Sequence, residues 1–299
     1  MAEASDRGEG ATYLAVGHVS ADLGPAEPRR GGTVTYACRA AAAWGWRARC
    51  ATVAAPPFDV APRDRGPGPA SVHRVEWRAR RAATTTTFRN WYDPDGQRRQ
   101  ELVALAPKLE RGDIPPAWRR ADVLHIAPVA GEVAPGILTA VEADFVGVTP
   151  QGWLRQWGRD GTIMPGQWRV PEAITAACDA MVVSEEDLAG AGVDVEHLAA
   201  RVAVLAVTAG MAGARIWEAG KPFEIGAVPA RSRDPTGAGD VFAATLFMAL
   251  AEGEDVHTAA RLAAAAAACT VEVGGALGLS RAGVVAPGPR SRRRNPRES

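Results

Sequence analysis

Short apolar runs alternate along this chain with segments of helical periodicity. The run "TYLAVGHV" (12–19) predicts a buried strand, "GGTVTYACRAAAAWG" a helix, and "RARCATVAA" a second strand. From residue 121 onwards, "ADVLHIAPV", "ADFVGVTP", "DAMVVSEEDL" and "VAVLAVTAG" predict four further strands, followed by a hairpin around Gly220 and helices over 238–251 and 255–273. Continuous apolar strands that alternate with helices are typical of a doubly wound α/β fold with a mostly parallel sheet flanked by helices.

A different pattern interrupts this alternation between residues 72 and 105. The β-branched and aromatic segment "TTTTFRNWY" and the segment "QRRQELVAL" flank the turn sequence "DPDG" (93–96). This predicts a small antiparallel β lid, built from about 20–32 and 72–105, on a single domain that spans 12–286. Residues 1–11 and 287–299 are predicted to be disordered tails, and the uncovered polar edge of the lid predicts a homodimer through the lid.

The composition excludes several classes of partner. The formal net charge is zero, so no overall field favours nucleic acid or a membrane. The four cysteines form no CxxC pair, and the segment "MAEASDRGEGATY" has no apolar signal core. The apolar run "LAAAAAACTV" is too short to cross a bilayer. These features predict a cytoplasmic protein with reduced cysteines.

The segment "DPTGAGD" (234–240) is the candidate for the catalytic motif of this chain. It precedes the apolar helix "VFAATLFMAL", where the first-turn N–H groups and the helix dipole can bind an anion. An acid beside such a site suits a hydroxyl that lies between the two, with Asp240 accepting its proton as phosphate is transferred. The alternative is an ordinary helix start at which Asp240 caps the helix. A Walker-type P-loop is excluded, since neither Lys108 nor Lys221 follows a glycine loop.

The motif and its context resemble the PfkB family of ribokinase-like carbohydrate kinases. The signature "DPTGAGDVFAATLFMAL" is similar to the family's C-terminal motif, "VGHVSADL" to its first strand and "GGTVTY" to its glycine segment. The resemblance implies ATP and Mg²⁺ as cofactors, with K⁺ as a further candidate. It implies the following roles: Asp240 as catalytic base; Gly237, Ala238 and Gly239 as anion hole; Asp22, Gly31, Gly32 and Tyr36 as acceptor site; Thr208, Gly210, Asp234, Thr236, Ala264 and Gly275 as nucleotide site.

Three departures from the family pattern concern the acceptor and the metal. Tyr36 stands where the family usually has Asn, and "TPQ" (149–151) stands in place of D-x-N. The metal-organising N-x-x-E is replaced by "SEED", in which Asp187 keeps a carboxylate on a shorter side chain beside Glu186. These changes resemble a divergent branch of the family, such as the inositol kinases.

The sequence leaves several functions open. The first is ATP-dependent phosphorylation of a hydroxyl group on a small sugar, a polyol such as inositol, or a nucleoside. A second is a non-catalytic sugar- or nucleotide-binding protein on a kinase fold, which the altered N-x-x-E favours. A third is a hydroxymethylpyrimidine- or pyridoxal-type kinase, against which the lid hairpin argues.

Overall fold

The computed structural model describes residues 10–24, 27–59, 75–92, 98–231 and 234–273. Its strands are β1 (Thr12–Val16), β2 (Ser20–Leu23), β3 (Arg29–Gly31), β4 (Arg47–Ala54), β5 (Val75–Arg81), β6 (Thr86–Tyr92), β7 (Arg98–Ala104), β8 (Arg120–Ile126), β9 (Glu142–Val148), β10 (Arg155–Trp157), β11 (Ile163–Pro165), β12 (Ala180–Ser184), β13 (Val204–Thr208), β14 (Ala214–Glu218) and β15 (Lys221–Ile225). Its helices are α1 (Thr33–Ala43), α2 (Glu172–Ala177), α3 (Glu185–Leu188), α4 (Val195–Ala199), α5 (Ala238–Ala251) and α6 (Val256–Val273).

The predicted α/β class is confirmed by the main sheet. Within the described ranges it has nine strands in the order β15-β14-β13-β12-β9-β8-β1-β4-β5. The strands from β13 to β5 run parallel to their neighbours, whereas β14 and β15 form the antiparallel hairpin predicted around Gly220. Because β9 and β12 are parallel neighbours, the loops that follow them meet at one edge of the sheet.

Helices cover both faces of the sheet. They are needed there because successive side chains of a strand point to opposite faces, and both sets are apolar. On β1, Tyr13 and Ala15 face the core that contains α1, α5 and α6, while Leu14 and Val16 face the core that contains α2 and α4. Helix α5 lies close to the sheet, since a Cβ at Gly147 would meet the ring of Phe247. Of the helices in the described part of the chain, none has the length and apolar character needed to span a membrane.

The lid is a second sheet with strand order β3-β2-β6-β7. Its pairs β2–β3 and β6–β7 are antiparallel, and β2 joins β6 in parallel. The predicted lid segment 72–105 was too long, because β5 pairs in parallel with β4 at the edge of the main sheet. Here Trp77 packs against the core and Glu76 forms an ion pair with Arg47 of β4. The predicted "DPDG" turn and most of both predicted tails lie outside the described residues.

Candidate active site

The N-terminus of helix α5 is built on a left-handed glycine. Gly237 caps the helix with φ +81°, a conformation that costs residues with a side chain about 1–2 kcal/mol. The N–H of Ala238 donates to the Pro235 carbonyl at 3.2 Å. The next amides, of Gly239 and Asp240, lie in the first turn, where N–H groups lack acceptors within the helix. A Cβ at Gly239 would meet no atom within 4 Å, so the space beside this residue is open. Exposed first-turn amides of this kind are suited to an anion such as phosphate.

Asp240 lies in this first turn and is partly buried. Burial raises the pKa of Asp240 from its ordinary value of 3.8 to about 6. The Thr33 hydroxyl, which donates a hydrogen bond to Asp240, and the positive charge of Arg155 both act to lower this pKa. The charges of Asp187 and Asp22 act to raise it. A carboxylate poised near neutrality suits a general base, and its four neighbours come from four separate segments.

Tyr36 packs against the glycine at the start of α5. A Cβ on Gly237 would lie 2.3 Å from a carbon of the Tyr36 ring, so the ring occupies the space that a side chain would need. Burial, and then the charges of Asp22 and Asp240, raise the pKa of Tyr36 well above its ordinary value. The Tyr36 hydroxyl is therefore neutral near pH 7 and lies close to the two carboxylates. The structure brings this predicted residue to the predicted site.

Asp22 reaches the site from the lid. The sequence predicted it at the end of the first strand, but β1 ends at Val16 and Asp22 lies in β2 of the lid sheet. The Ser20 hydroxyl donates to Asp22 at 2.9 Å. A Cβ on Gly31 would lie 2.1 Å from an Asp22 carboxylate oxygen, so this glycine is required for close packing. Gly32, with φ +86°, caps helix α1 against the His18 carbonyl.

Asp187 is held by three side chains at the edge where β9 and β12 end. The Ser184 hydroxyl donates to its Oδ2 at 2.6 Å, and the Gln151 amide approaches the same oxygen at 3.4 Å. Its Oδ1 lies 3.5 Å from a guanidinium nitrogen of Arg155. Mg²⁺ keeps several waters and uses one or two carboxylates plus phosphate oxygens, so this single carboxylate fits a magnesium ion bound through water. Glu186 is exposed in α3.

The residues predicted to bind the nucleotide are less closely grouped. Thr208 ends β13 beside Ser184 of β12, and Gly210 begins a 3₁₀ turn with φ +56°. Asp234 accepts a hydrogen bond from the Thr236 N–H at 2.9 Å, which closes the turn before α5. Ala264 is buried in α6 within the core. Gly275 lies outside the described residues.

Two residues at the site were not predicted from the sequence. Thr33 follows the glycine segment and is buried beneath Asp240, and Arg155 begins β10. Thr33 could have been identified by its place directly after Gly32 at the start of α1. Arg155 gives no such signal among so many arginines, because only the pairing of β9 with β12 brings it beside Asp187.

Comparisons with known proteins agree with this geometry. Residues 160–281 match the family described as pfkB family carbohydrate kinase. The bifunctional protein HldE of Rhodopseudomonas palustris (strain BisB5) is 30% identical over 186 residues, which cover 58% of this chain and 34% of that protein. The chain thus spans about a third of the length of this curated relative.

Solved structures resemble the chain over most of its length. A pyrophosphate-dependent kinase of the ribokinase family, complexed with a pyrophosphate analogue and myo-inositol, superposes with a TM-score of 0.71 at 18% identity, covering 87% of this chain and 94% of that one. Arabidopsis thaliana ribokinase, complexed with ribose and ATP, gives a TM-score of 0.65 at 20% identity, covering 91% and 95%. The chain therefore has the ribokinase-like fold with a small antiparallel lid sheet, and its residues 160–281 resemble the pfkB family carbohydrate kinases.

Proposed function

We propose that this chain is a kinase that transfers the terminal phosphoryl group of ATP to a hydroxyl of a small sugar, a polyol such as inositol, or a nucleoside. The observation that carries this proposal is the placement of Asp240, whose pKa is raised to about 6, in the first turn of a helix that begins at a left-handed glycine. An anion site and a base then adjoin each other, as transfer to a hydroxyl requires.

The acceptor hydroxyl would lie between Asp240 and the first-turn amides. Asp240 accepts its proton, and the N–H groups of Gly239 and Asp240 stabilise the charge of the phosphoryl group. Asp22 would bind other hydroxyls of the acceptor, because its carboxylate lies near both Tyr36 and Asp240. Tyr36 limits the pocket on the side of Gly237. A bound Mg²⁺ supplies neutralisation of the donor's phosphate oxygens, and Asp187 with Glu186 would hold it through water.

The donor would lie near the carboxyl ends of β12 and β13, at Thr208, Gly210 and the turn formed by Asp234 and Thr236. One similar solved structure is of a pyrophosphate-dependent kinase, so pyrophosphate is the alternative donor. K⁺ is a further candidate cofactor of the chain, and the assay described next is run with and without it. A homodimer through the lid is also proposed, since Trp91, Val103 and Leu105 of this region are exposed.

One experiment tests the function directly. The purified chain is assayed with ATP or pyrophosphate against a panel of sugars, inositols and nucleosides, with Mg²⁺ and with or without K⁺. Release of ADP or phosphate that depends on one acceptor class would support the proposal and identify that class. The alternative function, a non-catalytic binding protein, is favoured by the replacement of the family's N-x-x-E by Ser184 and Asp187. Acceptor binding without turnover on any panel member would support that alternative.

A further inference from the structure

The candidate site brings three carboxylates together at the place where a phosphate donor would bind. Asp187 and Asp22 both raise the pKa of Asp240, so three carboxylates lie within electrostatic reach of one another. A donor brings several further negative charges to the same place. Like charges repel each other more strongly in a partly desolvated site than in water. The site therefore needs positive charge from the chain as well as from a bound cation.

Arg155 supplies positive charge at this place. It begins β10, directly after the 3₁₀ turn Gln151–Trp153 that follows β9. Its side chain is only 14% exposed, and that of its partner Asp187 is 13% exposed. A second guanidinium nitrogen approaches the Val129 carbonyl at 3.5 Å. The charge of Arg155 also reaches Asp240. The guanidinium thus lies 3.5 Å from the proposed magnesium-organising carboxylate, and its charge acts on the proposed base.

The geometry of the Arg155–Asp187 pair is open rather than closed. Charge-assisted hydrogen bonds of this type are normally about 2.7–2.9 Å long and often bidentate. Here the closest approach is 3.5 Å, and the other Asp187 oxygen is bound by Ser184. This pair is therefore longer than a normal charge-assisted hydrogen bond, and Asp187 orients the guanidinium through its charge. A planar guanidinium in a partly desolvated site is well suited to bind a phosphoryl group through two parallel N–H donors.

We propose that Arg155 contacts the phosphoryl group that is transferred, and that Asp187 positions the guanidinium for this contact. This inference rests on the proposed function and assigns a residue to it. Arg155 then shares with magnesium the neutralisation of the charge that develops during transfer. Its positive charge also offsets the negative charges of Asp187 and Asp240, which otherwise repel the donor.

Binding of ATP and ADP tests this contact without any acceptor. ADP lacks the phosphoryl group in question, so Arg155→Gln should weaken ATP binding about tenfold or more while ADP binding changes by less than about threefold. Affinities are measured by calorimetry in the presence of Mg²⁺. The matched control is Arg159→Gln, which removes an exposed arginine from the neighbouring turn and should change neither affinity. Arg155→Lys keeps the positive charge but loses the two parallel N–H donors of the guanidinium, and should weaken ATP binding to an intermediate degree.

The outcomes separate this inference from the function on which it rests. Thermal unfolding of each variant identifies any that fails to fold, and Arg155→Lys then provides the comparison. Equal effects of Arg155→Gln on ATP and ADP, or no effect on either, would refute the contact. If the unsubstituted chain binds pyrophosphate instead of ATP, the same comparison is made between pyrophosphate and phosphate. Failure of the unsubstituted chain to bind ATP or pyrophosphate would refute the proposed function itself.

Discussion

Replacing Asp240 by Asn removes the proposed base and preserves the size of the side chain. An amide can still accept hydrogen bonds in the first helical turn, but it cannot take the proton of a hydroxyl. General-base catalysis contributes about 10²–10⁴-fold, so kcat should fall by about that factor. ATP affinity should be kept or increase, because a negative charge beside the phosphates is gone.

The raised pKa also predicts how stability responds to this substitution. Asp240 binds a proton more tightly in the folded chain, with a pKa of about 6, than at its ordinary value of 3.8. Its charged form therefore destabilises the folded chain above about pH 6, and the stability lost to this charge returns as the pH falls from about 6 towards 4. The difference corresponds to about 3 kcal/mol at most, and partial exposure of Asp240 screens part of it. Asp240→Asn should thus melt at the same temperature or a few degrees higher at pH 7.5.

Turnover, ATP affinity and melting temperature measured on this one variant test the assignment. The acceptor is the one found in the panel assay, and the control is Asp194→Asn, an exposed residue that caps α4 and keeps the oxygen that accepts the His197 N–H. An Asp240→Asn chain that phosphorylates its acceptor at the unsubstituted rate would refute the base assignment. A large loss of stability would instead indicate that Asp240 has a structural role, and a lower turnover would then not identify a base.

Three further predictions concern the neighbours of Asp240. Thr33→Val removes a hydrogen bond that lowers the pKa of Asp240, so the acid limb of the kcat/KM profile should move to higher pH, with little change at pH 8.5; an unmoved profile would contradict the contact. Asp187→Ala should reduce turnover and raise the Mg²⁺ concentration needed for half-maximal rate, and an unchanged Mg²⁺ titration would remove Asp187 from the metal site. Gly237→Ala places a Cβ against the Tyr36 ring from a left-handed backbone, so chemical denaturation should show a loss of about 2 kcal/mol or more in the free energy of unfolding. The control is Gly253→Ala, where the backbone is also left-handed but the space is open, and the loss should be about 1–2 kcal/mol. Equal losses for the two glycine variants would show that the ring of Tyr36 does not restrict this position.

The sequence alone determined those features that depend on local pattern. The alternation of apolar runs with helical segments predicted the α/β class, and helix α5 begins and ends where its periodicity indicated. The glycines of "DPTGAGD" predicted a turn with an exposed backbone, because a left-handed conformation at the start of a helix strongly favours glycine. Asp240 was identified in the same way, from its place at the start of a helix after a glycine turn, whereas Asp187 was identified by the resemblance of "SEED" to the family's N-x-x-E motif.

Only the tertiary structure decided which residues meet. Tyr36 lies against Gly237, and Arg155 against Asp187, because α1 packs beside α5 and β9 pairs with β12. Strand β5 joined the main sheet rather than the lid for a similar reason, since Glu76 and Trp77 find an ion pair and an apolar surface there. The raised pKa of Asp240 also depends on burial and on charges from distant segments. Such contacts depend on packing between elements far apart in the chain, which the local periodicity of the sequence does not predict.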